Sequence, residues 1–355
     1  MAPSSPPIPP TMKAWTFSKA GPHRKVLTLT PNLPTPAAPT GNQVLIKIAY
    51  SGLNPADTKV MNIIPTFLRK SVSIPGMDFS GTIIGAGPSA PENLKVGTKV
   101  FGALPRKAPF AGYGTLCEYI CISTTGLAIA SVPENVSMEE AAGMAIAGIV
   151  TFLICKYGGI NEGNGYRVLV NGASGGCGSM FVQGVLAMGA KEVVGTCSAP
   201  NVEMVKSLGA SRVIDYRANA PVQKFLAKEY GTRPFDVVVD TVGAQKIYTH
   251  SPAFLKESGV FVNIGGYTDG TAWTLWHWFI NYFWPSWLGG TPRKYVMFSG
   301  SPDQESMEKL VKYVGEGKMT TVVEKVYEMD QLLEAFDLLN TKRVRGKLVV
   351  KVGGD

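Results

Sequence analysis

Cysteine is scarce in this 355-residue chain: Cys117, Cys121, Cys155, Cys177 and Cys197 are the full set, and no Cys-x-x-Cys pair occurs among them. That count and spacing exclude a cysteine-built zinc knuckle and a secreted disulfide framework. They predict reduced thiols and a cytosolic setting, with a mitochondrial one left open. Charge is scarce as well, at 17% of residues. The lysines and arginines behind the formal charge of +8 are scattered and form no long stripe. This speaks against a nucleic-acid partner and leaves attraction for a phosphorylated cofactor. The opening segment lacks an apolar core, and five of its first ten residues are proline. It fits neither a secretory signal nor an amphipathic transit peptide, so residues 1–11 are expected to form a loose tail.

Apolar residues and turn formers are plentiful, with 45% hydrophobic residues, 40 Gly and 25 Pro. The length is about twice that of a common domain, which predicts two domains with large cores. Over residues 12–136 short strands alternate with turns, as in the half-buried pattern of Gln43-Val-Leu-Ile-Lys-Ile-Ala-Tyr50, and a compact β-barrel-like domain is expected. Ser137-Met-Glu-Glu140 matches a capping box and predicts a helix into Ala141–Tyr157. From there to residue 300 buried strands alternate with helices. The strands are Arg167–Val170, Glu192–Thr196, Arg212–Asp215, Phe235–Asp240 and Gly259–Ile264, with a further one at Arg293–Ser299. That rhythm predicts an α/β fold with a doubly wound parallel sheet over 137–300. Residues 301–355 hold two helices and two strands and are expected to return to the first domain.

The segment Val168-Leu-Val-Asn-Gly172-Ala-Ser-Gly175-Gly176-Cys-Gly178 is the most informative in the chain. A buried strand runs into a glycine turn and a helix opens at once, expected at Ser179–Gly189. Gly172 and Gly175 allow close backbone approach, Gly178 lets helix and strand pack, and the helix start offers amides to a pyrophosphate. Ser174, Gly176 and Cys177 complete the candidate phosphate loop. The second strand then decides between dinucleotides. A site for NAD usually carries an acidic residue at that strand end to accept from the ribose 2′-hydroxyl, and Val193-Val-Gly-Thr-Cys-Ser198 has none. Ser198 and Asn201 are uncharged donors suited to a 2′-phosphate, with Tyr216 near it or near the adenine. This predicts NADPH, with Arg343, Arg345 and Lys347 as cations supplied from the tail or, equally, as solvated surface.

At these residues the chain resembles the medium-chain dehydrogenase/reductase superfamily. It is most similar to the zinc-free quinone oxidoreductase branch, which includes reticulon-interacting oxidoreductases and fungal enoyl reductases. The landmarks are Asn54-Pro-Ala-Asp57, Pro75-Gly-Met-Asp78-Phe-Ser-Gly81, the Gly172–Gly178 loop, Ser207-Leu-Gly-Ala210 with Val213-Ile-Asp-Tyr216, and Arg345-Gly-Lys347. The resemblance implies a GroES-like catalytic domain, an inserted Rossmann domain and a C-terminal return. It also implies that Thr151, Val242 and the strand end Ile264-Gly265 hold the nicotinamide. Zinc alcohol dehydrogenases of the superfamily carry a cysteine ligand where Asn54 stands and a His-Glu pair where Met77-Asp78 stand. An amide and a thioether are poor replacements for thiolate and imidazole on zinc, so no metal is expected. Their proton-relaying hydroxyl falls at Ala56, which relays nothing.

These departures point to zinc-independent delivery of hydride to a small apolar electrophile, either an α,β-unsaturated carbonyl or a quinone, with fungal secondary metabolism as one setting. The cofactor supplies the hydride and the protein stabilises the developing enolate. Asn54, Lys59 and Tyr267 are the candidate stabilisers. Lys59 reads equally as an exposed lysine after a turn, and Asn54 and Asp57 as residues that order their loop. Two rivals stand beside this reading: a non-catalytic nucleotide-binding scaffold, and an enzyme of this fold performing a cyclisation or redox-neutral step. The Trp-rich segment 273–287 allows a pocket wall, ordinary core packing, a subunit interface or contact with a membrane surface. The edge strand at Arg293–Ser299 adds support for a homodimer.

Overall fold

The computed structural model describes residues 8–64, 66–266, 270–297 and 300–353. Two compact units are present: residues up to Ile149 together with Ser301 onward, and Val150–Gly300. Most of the proline tail and Tyr267 lie outside the described residues.

The first unit is built on a seven-stranded sheet. Its strands run in the order Val323–Glu328, Lys347–Lys351, Gln43–Gly52, Asp78–Ala86, Lys99–Ala103 and Ala128–Ser131, and Tyr119–Ser123 also pairs with Gln43–Gly52. Pairing is antiparallel except between the two C-terminal strands. Alternate residues of Gln43–Gly52 and Asp78–Ala86 send Ile46, Ile48, Phe79 and Ile83 into one core. The tail closes that core with Leu332, Phe336, Leu348 and Val350, so the return expected of the last segment has a physical basis in buried apolar surface. Pro55–Ile63 is a helix that follows directly from the Gln43–Gly52 strand.

The capping box forms as expected: Ser137 N donates to Glu140 Oε2 at 3.0 Å and Glu140 N donates to Ser137 Oγ at 3.3 Å. The helix it opens, Met138–Gly158, is apolar on every side because it is buried, as expected for a core helix of this length. The division between units corrects the expected boundary at residue 137, since it falls inside this helix. The first turns belong to the first unit: Ile146 N donates to Asp78 Oδ1, and Gly143 and Gly148 are pressed against Thr321 and Leu310. Gly158, in contrast, packs on Val262 of the second unit.

The second unit is a six-stranded, fully parallel sheet in the order Arg212–Asp215, Glu192–Cys197, Arg167–Asn171, Phe235–Asp240, Leu255–Asn263, Lys294–Met297. Counted along the chain this is 3-2-1-4-5-6, with the order reversing between Arg167–Asn171 and Phe235–Asp240, the place where doubly wound sheets bind ligands. The helix after the glycine turn covers Gly176–Ala187 and begins three residues earlier than the sequence suggested. Its first turn is made of glycine and cysteine, whose weak helix preference hid the true start.

The aromatic segment forms the helix Thr271–Phe283 and a short turn at Ser286–Leu288. Core packing, one of the readings above, does not account for it. Thr274 is buried and Trp278 half-buried, whereas Trp273, Trp276, Phe279, Tyr282, Phe283 and Trp287 are each at least half exposed. The inward face is polar as well, with Asn281 and Gln245 exchanging two hydrogen bonds of 2.7 and 2.8 Å.

Candidate cofactor and active site

In the second unit the glycines have distinct jobs. Gly172 follows the strand Arg167–Asn171 at φ +80°, a conformation that disfavours side chains, and a β-carbon there would meet Thr241 Oγ1 at 2.5 Å. Gly178 seats the helix on the strand: a β-carbon would stand 2.2 Å from the Gly172 carbonyl oxygen. Gly175 differs from the role first given to it, because its φ of −80° is open to any residue. A β-carbon at Gly175 would come no closer than 3.6 Å to any described residue, so what it would fill is the open cradle over the helix start. Gly175, at the N-cap, has no side chain with which to cap that first turn. Its amides therefore suit a diphosphate, and a dinucleotide fits these residues.

A buried network holds the cradle in place. Asp240 accepts from Val242 N at 2.9 Å, Gly243 N at 3.0 Å, Ala244 N at 2.6 Å and Asn171 Nδ2 at 2.8 Å. Thr196 Oγ1 donates to Asn171 Oδ1 at 2.6 Å and stands 3.2 Å from Gly172 N, which donates back to it. Three strand ends are thus tied together by side chains that are nearly solvent-free. Burial pushes the Asp240 carboxyl above the usual carboxylate range, and its four donors oppose that shift. Asp240 was missed as a site residue, although an acid closing the run Val237-Val-Val239 was a visible signal.

Several other residues named from the sequence gather at the same strand ends. Asn201 Nδ2 lies 3.2 Å from Ser174 Oγ and 3.5 Å from Ser198 Oγ. Tyr216, which hydrogen-bonds through its amide to the Cys197 carbonyl, has Arg217 over its ring at 5.7 Å, with Nε donating to its hydroxyl at 3.3 Å. Arg217 is a cation that the sequence reading did not single out. Val242 and Gly265 meet closely: a β-carbon on Gly265 would come within 2.2 Å of the Val242 carbonyl carbon. Ile264 N and Gly265 N both donate to the Asp240 carbonyl. Thr151 is fully buried in its helix, and Cys177 is half-buried in the loop.

In the first unit a second set of side chains gathers where the resemblance places metal ligands. Lys347 is buried, and its Nζ donates to Asn54 Oδ1 at 2.7 Å and to Asp78 Oδ2 at 3.1 Å. Asn54 Nδ2 donates to Asp78 Oδ2 at 2.9 Å, and Ile146 N to Asp78 Oδ1 at 2.9 Å. This corrects the reading of Lys347 as a cation for a 2′-phosphate, because its charge is spent on a buried carboxylate. Asn54 is part of the same knot: its Oδ1 accepts from Lys347, one Nδ2 hydrogen goes to Asp78, and Nδ2 lies 3.5 Å from the Gly52 carbonyl oxygen. Arg345 is exposed on the surface of this unit, its amide bound to Glu324. Burial raises the Asp78 carboxyl, with Lys347 and Asn54 opposing. The donor set does not fit zinc: an engaged amide, the Met77 thioether and a lysine-paired carboxylate offer neither thiolate nor imidazole. Lys59 is half-buried on the helix Pro55–Ile63, and burial, helped by Lys342, lowers its pKa.

The 3-2-1-4-5-6 sheet, its phosphate cradle at the switch point and the GroES-type sheet of the first unit define a nicotinamide-dinucleotide oxidoreductase. Comparison with known proteins gives the same answer. The alcohol dehydrogenase GroES-like domain family matches residues 40–134, and the family described as zinc-binding dehydrogenase matches residues 208–350. The trans-enoyl reductase pgmF of Aspergillus terreus is 36% identical over 97% of both chains. The medium chain reductase pydE of an Acremonium species is 32% identical over 96% of this chain and 99% of its own. Among solved structures, the quinone oxidoreductase from Coxiella burnetii superposes with a TM-score of 0.76 at 29% identity, covering 96% of this chain and 99% of its own. The chain belongs to the medium-chain dehydrogenase/reductase superfamily and is an NAD(P)H-dependent oxidoreductase of the quinone or enoyl reductase type.

Proposed function

We propose that the protein uses NADPH to reduce the conjugated double bond of an apolar α,β-unsaturated carbonyl compound, without zinc. The observation that carries the reaction is the Asn54–Asp78–Lys347 knot, which fills the position of a catalytic metal with groups that bond one another. A carbonyl lacking a Lewis acid is a poor hydride acceptor, whereas a conjugated alkene needs only stabilisation of the resulting enolate. Relatives named trans-enoyl reductases and a quinone oxidoreductase support the same chemistry. Preference for NADPH is supported by the absence of an acid at the end of Glu192–Cys197 and by the cluster Ser174, Ser198, Asn201, Tyr216 and Arg217.

When bound, the dinucleotide supplies the hydride. The protein's own contribution is to anchor the diphosphate on the turn at Gly175–Gly178, to recognise the 2′-phosphate and to offset negative charge on the substrate oxygen. Lys59 suits the last of these roles, because its lowered pKa makes the ammonium a readier hydrogen-bond and proton donor than an exposed lysine. Calorimetry on the purified protein should find NADPH bound at least about tenfold more tightly than NADH, since a charge-assisted contact of about 1.5 kcal/mol gives that ratio. NADPH should be consumed with benzylideneacetone in chelator-treated buffer. Tighter binding of NADH, or activity that returns only with added zinc, would overturn the proposal.

A further inference from the structure

The helix Thr271–Phe283 turns its aromatic side outward and its polar side in. Thr274 and Trp278 are the side chains that a β-carbon on Gly266 would meet, each at 3.1 Å, and Asn281 bonds Gln245. These positions, spaced by four and three residues, form one stripe against the rest of their own unit. Leu275, Trp276, Phe279, Tyr282 and Phe283 lie on the opposite side, and each is at least half exposed. Their rings form a chain: Trp276 stacks on Phe279 with centroids 6.0 Å apart, Phe279 meets Phe283 at 5.2 Å, and Phe283 meets Tyr282 edge-on at 5.0 Å. The turn Ser286–Leu288 adds Trp287, which is 80% exposed. A continuous exposed apolar patch of this kind marks a surface that something covers.

The charge around the patch points to what covers it. No Asp or Glu occurs from residue 241 to 256 or from 270 to 302, whereas Lys246, Lys256, Arg293 and Lys294 do. Lys256 is paired with Asp236, and Arg293 donates to the carbonyls of Leu255, Pro252 and Pro292. Lys246 and Lys294 are exposed. Lys246 follows Gln245 on the helix beside Asn281, and Lys294 opens the strand Lys294–Met297 on which the aromatic helix packs. A second copy seated by two-fold symmetry would bring cations to cations with no carboxylate to offset them. An anionic lipid surface supplies the missing charge. It also suits rings with polar tips, because Trp and Tyr settle where hydrocarbon meets headgroups. At 13 residues the helix is about 20 Å long, too short to span a bilayer but long enough to lie on one. We propose that this face docks on a membrane. The helix Thr271–Phe283 lies in the plane of a bilayer that contains anionic phospholipid, with its outward rings among the headgroups and upper acyl chains. The inference uses the second unit alone and is independent of the reaction proposed above.

The test uses the whole purified protein and vesicles of phosphatidylcholine, either alone or with about one quarter phosphatidylserine. In a flotation gradient the protein should rise with the mixed vesicles, and added salt should reduce the bound fraction. A lysine near an anionic surface is worth about a fivefold change in partition. Lys246→Gln combined with Lys294→Gln should therefore weaken binding to mixed vesicles about twenty-fivefold and leave binding to phosphatidylcholine alone unchanged. Trp276→Ser combined with Phe279→Ser should weaken binding to mixed vesicles by about a hundredfold. Bromine atoms on the acyl chains should quench the tryptophan fluorescence of the wild type, because the rings reach that depth. Unchanged NADPH affinity in both double variants shows an intact fold. Absence of flotation with mixed vesicles would overturn the proposal and return the face to a protein partner. Flotation that survives in Trp276→Ser with Phe279→Ser, or adsorption without quenching, would overturn it too, since charge alone would then hold the protein. A dimer in light scattering that the same variant dissociates, with vesicles left unbound, would assign the face to a second copy.

Discussion

The two candidate regions are made of different material. The cradle of the second unit is backbone, shaped by glycines and held from beneath by Asp240, Asn171 and Thr196. The region around Asn54 in the first unit is built chiefly of side chains, and its central contact joins Lys347 to Asp78 across 269 residues of sequence. A backbone site depends on conformations that few residues allow, so it is tolerant of chemistry and intolerant of bulk. A side-chain site is the reverse. Each reacts to a different kind of substitution.

The largest effect should come from the side-chain region. Lys347→Met leaves Asp78 buried without a counter-charge and should cost about 3–5 kcal/mol in chemical denaturation near neutral pH. Adding Asp78→Asn should restore most of that. The loss should shrink on acidification, since a carboxyl whose folded pKa is raised destabilises the fold only once the pH passes its unfolded value of about 4. If the single variant is as stable as the wild type, the knot contributes no charge pairing.

Bulk should separate the glycines. Gly178→Ala puts a β-carbon 2.2 Å from the Gly172 carbonyl oxygen. The helix must shift, with a cost of about 1–3 kcal/mol and a fall in NADPH affinity of about tenfold or more. Gly175→Ala has an ordinary φ and open surroundings, so its melting temperature should stay at the wild-type value while NADPH affinity falls. Equal melting and affinity losses in the two variants would erase the distinction drawn between them.

Smaller in size, Arg217→Ala should lower NADPH affinity about tenfold and leave NADH unchanged in a calorimetric comparison. An equal loss for both nucleotides would remove Arg217 from 2′-phosphate recognition.

The cradle was legible because its signal is local. A strand, three spaced glycines and a helix lie within a dozen residues, and the missing acid at Ser198 could be read directly. Only the helix start was misplaced, where glycine and cysteine mask it. The first-unit knot was not legible for the opposite reason. Lys347 looks like any lysine of the basic stretch Lys342-Arg-Val-Arg-Gly-Lys347 until the strand Lys347–Lys351 is paired with Gln43–Gly52 and carries it inward. The exposed aromatics of Thr271–Phe283 show the same limit. Helical spacing predicts a buried stripe from such residues, but the polar pair Asn281 and Gln245 decides which face turns inward.

The most direct measurement of the central claim is the fate of a label. With NADPH carrying deuterium on its transferable C4 position, reduced benzylideneacetone should appear by nuclear magnetic resonance as benzylacetone with deuterium on the β-carbon. Deuterium on the carbinol carbon of an allylic alcohol would show direct carbonyl reduction and contradict the account.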